Sequence, residues 1–231
     1  MTPDYSLWNE ALTEAFFGVD HTGETVYLAV DDDELEAIAR EHGIETDDPG
    51  RSLAHAVRGE LGHGGQRFAP FIRRLHRWRA EVEIPPQVAL LSLFVLAASR
   101  MDAEPEKGLH ANDYYSRLNP LLGLEPSAGM PDGFDQMERL WRDLGSWLDE
   151  DLEGTRGRSA IHTHPHFTYI GYPLSQCALR ARDRHRLPDF FRSVGLEPGD
   201  ELSDERLLVH LRVWAQRPSC GLSNGGRASV L

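Results

Sequence analysis

Pro85-Pro-Gln-Val-Ala-Leu-Leu-Ser-Leu-Phe-Val-Leu-Ala-Ala-Ser-Arg-Met101 opens on a double proline and then runs apolar from Val88 to Ala98, interrupted only by Ser92. Proline is tolerated in the first turn of a helix and breaks what precedes it, so the pair marks a helix start. A run with no polar face reads as the most buried helix of the chain, Gln87 to Met101. It is too short to cross a bilayer, which takes about 20 apolar residues.

Working outward, the neighbouring segments carry the three-four spacing of amphipathic helices. Downstream, Phe134, Met137, Leu140, Trp141, Leu144, Leu148 and Leu152 form one stripe. Upstream, Leu7, Trp8, Leu12, Ala15 and Phe16 share a face of a helix Tyr5 to Phe17, stopped by Gly18. Asp31-Asp-Asp33 caps a helix Glu34 to His42 by placing carboxylates at its positive end. Thr46-Asp-Asp-Pro49 starts another, with Leu53, Val57 and Leu61 on one side. Asn112-Asp113 opens a short helix carrying Tyr114, Tyr115 and Leu118. Pro173 begins a helix Leu174 to Leu187, and Pro188 separates it from Asp189 to Val194. Ser203 caps the last, whose inward face is Leu207, Leu208, Leu211 and Trp214. The β signals are a strand Thr25 to Val30 and a small hairpin or extended arm near 156–172. The expected fold is mostly α, a multi-helix globular bundle of about nine helices with those two β pieces.

Residues Leu124 to Gly133 hold two prolines and two glycines and read as a linker between an N-terminal helical lobe, 1–123, and a C-terminal one, 134–216. The tail 217–231 is rich in glycine and serine and aperiodic. It is expected to be flexible, either a frayed end or a linker that would make this chain the front part of a larger protein.

A formal charge of −13 opposes general binding to phosphate backbones. Lys107 is the only lysine among 24 basic residues, and the arginine excess is spread evenly, which points to GC-rich coding such as that of a GC-rich bacterium. Cys177 and Cys220 form no CxxC and are too few for a disulfide framework. The opening MTPDYSLWNEALTEAFF has neither a basic start nor an apolar core, so it is not a secretory signal. These features point to a cytoplasmic chain with no membrane partner.

Three clusters carry chemistry. His162, His164 and His166 are two apart, so an extended backbone would place three imidazoles on one side, as a zinc or other divalent metal site needs. Pro165 disturbs that geometry, no carboxylate lies at a recognised spacing, and a solvated loop is the simpler reading. Arg73, Arg74 and Arg77 alternate with Phe71 and Trp78, and Arg180 and Arg184 follow in a second basic stretch. Basic and aromatic residues together suit single-stranded nucleic acid. At helical spacing, however, the aromatics go to the core and the arginines to the outer face. Tyr169 and Tyr172 either dress a partner surface or close the core of the C-terminal half. GxSxG, Walker A, GxGxxG and HExxH patterns are all missing.

The leading expectation is therefore a non-catalytic interaction or accessory module of a bacterial cytoplasmic protein, with a protein partner and no cofactor. The alternatives are a metal-dependent hydrolase built on His162, His164 and His166, and a nucleic-acid-binding module built on the arginine-rich helices.

Overall fold

The computed structural model describes residues 4–22, 25–61, 71, 73, 75, 84–102, 111–131, 134, 137–149, 158–159, 161, 170–177, 186–196 and 203–222. It is mostly helical, with nine α-helices among the described residues. Among those residues, no helix is long and apolar enough to cross a membrane. The chain divides into two compact units, Met1–Cys177 and Ala178–Leu231.

The first unit is organised around α4 (Val88–Asp102), which packs against α1 (Tyr5–Phe17), α3 (Pro49–Leu61), α5 (Ala111–Leu121) and α7 (Gly171–Gln176). Every residue from Val88 to Ala98 is fully buried, as a helix apolar on all sides must be. Its start is held by α1. The Asn9 carboxamide donates to the Pro85 carbonyl at 2.8 Å and accepts from the Ala89 N–H at 3.0 Å, and the Tyr5 hydroxyl donates to the Pro86 carbonyl at 2.6 Å. Asn9 thus serves one of the orphan donors that every helix start leaves. Local carboxylates do the same at three other helices, Asp48 accepting from Arg51 N–H at the start of α3. The Asp4 carboxylate accepts from Leu7 N–H at the start of α1, and that of Asp31 accepts from Glu34 N–H at the start of α2 (Asp32–Glu41). At the other end of α1, Gly18 N–H donates to the Glu14 carbonyl; a Cβ on Gly18 would lie 2.4 Å from that oxygen, so the closure needs glycine.

Helix α6 (Met137–Asp149) buries Leu140, Trp141, Leu144 and Leu148, the stripe its spacing predicts. Residues 124–131 leave the core and come back to it. Asn119 donates to the Gly129 carbonyl at 2.9 Å, and the Phe134 ring then meets Phe94 edge-on at 5.5 Å and Tyr115 at 5.6 Å. Residues on both sides of the expected linker consequently share one hydrophobic core, and the division between units falls between Cys177 and Ala178.

The expected N-terminal strand needs correction. Among the described residues Thr25–Val26 pairs in parallel with Arg158–Ser159, while residues 27–30 belong to no strand. Val26, Leu28 and Val30 are buried in alternation, which is the rhythm that reads as β. Among the described residues no further strand pairs with 27–30. The Leu28 N–H donates to the Gln176 side-chain carbonyl at 3.1 Å instead, and Val30 N–H turns back to the Leu28 carbonyl. Arg158–Ser159 therefore pairs across the chain; residues 162–169 of the expected arm lie outside the described residues.

In the second unit α8 (Leu187–Val194) and α9 (Asp204–Ala215) are followed by a 3-10 turn, Pro218–Cys220. Gly195, at φ 71°, ends α8 in the left-handed region, where its N–H reaches back to the last turn. Phe190, Trp214, Ala215, Cys220 and Leu222 form a separate small core. The first residues of the expected tail thus fold back on α9, while 223–231 lie outside the described residues.

Candidate functional site

Of the residues that the sequence marks as candidates, two are described. Arg73 is exposed, while Phe71 and Leu75 beside it are buried, with Phe71 edge-on to Tyr5 at 5.6 Å. Phe71 and Leu75 inward and Arg73 outward is the arrangement that helical spacing gives. Tyr172 is buried and stacks on Trp141, rings 6.1 Å apart and nearly parallel. Its phenol titrates above the ordinary tyrosine range, first because it is buried and then because the Glu138 carboxylate lies close and accepts its hydrogen bond; the Arg142 guanidinium works against this. Tyr172 ties α7 to α6, the core-closing role. His162, His164, His166, Tyr169, Arg74, Arg77, Arg180 and Arg184 lie outside the described residues. Among the described residues no group of three or more His, Cys, Asp or Glu side chains is placed to hold a metal ion.

Several polar groups of the first unit tie its elements together, whereas the Gln87 carboxamide and the Ser92 hydroxyl are buried without a hydrogen-bond partner among the described residues. Arg100 grips Asp32 through two contacts, Nη2 to Oδ1 at 2.6 Å and Nε to Oδ2 at 3.1 Å, which ties the end of α4 to the start of α2. Ser52 accepts from the Trp8 indole at 3.2 Å, and Gln176 accepts from the Leu28 N–H.

A different kind of surface lies on α9. Leu207, Leu211 and Trp214 lean on the small core. Val209 and Val213, four residues apart, occupy the opposite face at 60 % and 51 % exposure, with Leu208 at its border. Helical spacing puts Arg206 and His210 on one shoulder of this stripe and Arg212 and Gln216 on the other, all exposed. Arg206, His210 and Arg212 make no ion pair among the described residues. Eight large apolar side chains are exposed among the described residues, and four of them, Phe191, Leu208, Val209 and Val213, belong to the second unit. That unit holds nine arginines against seven carboxylates, whereas Met1–Cys177 holds 15 basic residues against 30 acidic ones.

The sequence carried a signal for this face that inward assignment overlooks. A helix with one buried side needs three or four apolar residues per two turns. Residues 207–214 contain six, Leu207, Leu208, Val209, Leu211, Val213 and Trp214, so a surplus has to face outward.

No family model matches the chain, and neither a curated protein nor a solved structure does.

Proposed function

We propose that this chain is a non-catalytic interaction or accessory module that works on a protein partner in the bacterial cytoplasm and needs no cofactor. The observation that carries the reading is the clustering of exposed apolar side chains on the second unit, with Val209 and Val213 together on α9. Scattered surface leucines and valines are ordinary, but several on one short helix mark a surface that gains by being covered. The uses found for Asp32, Arg100, Asn9, Ser52 and Gln176 fit a scaffold whose polar groups hold elements together.

Native extract from the source cells provides the test. The full chain is followed by size-exclusion chromatography with light scattering and then isolated by affinity to a small epitope. A stoichiometric complex with another protein is expected. A chain that elutes as the free protein, or one that turns over a substrate after removal of every co-purifying protein, overturns the reading.

A further inference from the structure

We propose that the exposed face of α9 is a docking site for an acidic amphipathic helix of a partner protein, seated along Val209 and Val213. This rests on the interaction-module reading and names the chemistry of the partner. Two valines four apart span one helical turn, the unit that a second helix engages with its own apolar residues at the same spacing. The stripe is narrow, and its shoulders carry Arg206 and His210 on one side and Arg212 on the other, without ion pairs among the described residues. A partner helix whose apolar seam is flanked by Glu or Asp would cover the valines and give Arg206 and Arg212 their counter-charges, as flanking charges do in helical pairs. Asp204 and Glu205 share the first turn of α9 with Arg206.

Other occupants fit less well. A second copy would set the cationic shoulders of one face against those of the other, a like-charge arrangement that costs affinity. A nucleic acid would neutralise the arginines but leave Val209 and Val213 under a phosphate backbone that gives them no apolar contact. Interfacial membrane helices use Trp, Phe and Leu as anchors, and the centre of this face holds only valine.

The test uses the full chain and three fluorescent synthetic peptides of equal length. One is a helix with leucines at the three-four spacing flanked by glutamate. The second replaces every glutamate by lysine. The third scrambles the first so that no stripe forms. Fluorescence anisotropy should give the glutamate peptide an affinity at least about tenfold above the other two, weakening as salt rises. The double variant Val209→Asp/Val213→Asp should lose this binding. The double variant Arg206→Glu/Arg212→Glu should reverse the preference, binding the lysine peptide over the glutamate one. Circular dichroism checks that both variants keep the helical content of the parent, and the reversal reads docking even where affinity falls. Equal binding of the glutamate and scrambled peptides overturns the proposal. So does unchanged binding in either variant, or displacement of the peptide by single-stranded DNA or by phosphatidylglycerol vesicles in preference to unlabelled peptide. If the native complex persists with Val209→Asp/Val213→Asp, docking on α9 falls and the module reading stands. If the parent forms no native complex, the module reading falls as well.

Discussion

Two glycines that look alike in the sequence are held for different reasons. A Cβ on Gly18 would meet the Glu14 backbone carbonyl at 2.4 Å, and backbone cannot swing aside. Gly18→Ala should therefore cost about 1–3 kcal/mol in urea unfolding, as forced overpacking does. A Cβ on Gly50 would meet the Arg100 Nη2 at 2.6 Å and the Asp32 Oδ1 at 2.9 Å, both ends of movable side chains. The ion pair they form is largely exposed and worth at most about 1 kcal/mol, while alanine in a helix gains about 0.5–1 kcal/mol over glycine. Gly50→Ala should thus shift stability by less than about 1 kcal/mol. The coupling between Asp32→Asn and Arg100→Gln in a double-mutant cycle should vanish in the Gly50→Ala background. A third residue prediction concerns charge. The Glu34 carboxyl titrates above its ordinary range, through partial burial first and then the neighbouring Asp31 and Glu41 carboxylates. Its folded pKa exceeds the unfolded one, so ionisation opposes folding, and stability is lost as pH rises through the carboxylate range. Glu34→Gln should melt above the parent at neutral pH, and the difference should close as pH falls through that range; an advantage that instead grows in acid contradicts the assignment.

Among elements, the ones written in local spacing were legible and the ones that depend on a distant partner were not. The stripe of α6 reads directly from its three-four pattern, and Leu144 is fully buried. Leu144→Ala should cost about 2–5 kcal/mol in thermal or urea unfolding, the range for emptying a packed site. An unchanged midpoint would mean that the helix does not pack as described. Likewise the spacing of Phe71, Arg73 and Leu75 gives away which side is core. The extended stretch from Thr25 has the alternation of a strand, but whether a strand forms is decided by its neighbour, and among the described residues only Thr25–Val26 finds one, at Arg158–Ser159. Proline and glycine between 124 and 131 lie where the described chain is out of helix. They carry no information on whether the chain then enters a new core, and Phe134 returns to the old one. On α9 both faces are apolar, so periodicity alone names no single inside. The chemistry anticipated at His162, His164 and His166 falls outside the described residues, and only Arg73 and Tyr172 of the marked side chains can be placed.

At the scale of the whole molecule, the two units have unequal means of staying folded. Met1–Cys177 gathers its helices on one continuous core, whereas the described core of Ala178–Leu231 is five residues around Phe190 and Trp214. Small cores leave little margin over chain entropy. Heating should therefore melt the second unit first, followed through Trp214, and Phe190→Ala should lower that transition while leaving the melting of the first unit in place. A single transition displaced as a whole would show that the units unfold together. The first unit has its own asymmetry, in time. The hydrogen bond from Leu28 to Gln176 spans 148 positions, and the Thr25–Val26 bridge waits for Arg158–Ser159. During synthesis from the N-terminus, at about 5–20 residues per second, roughly 7–30 s separate the emergence of Leu28 from that of Gln176. Once Asp102 has emerged, about halfway through that interval, the nascent chain can assemble α1 to α4 but not seal them, and Leu28 and Val30 stay available to chaperones. A ribosome stalled after α6 should hold an intermediate that is largely helical and still open along residues 27–30.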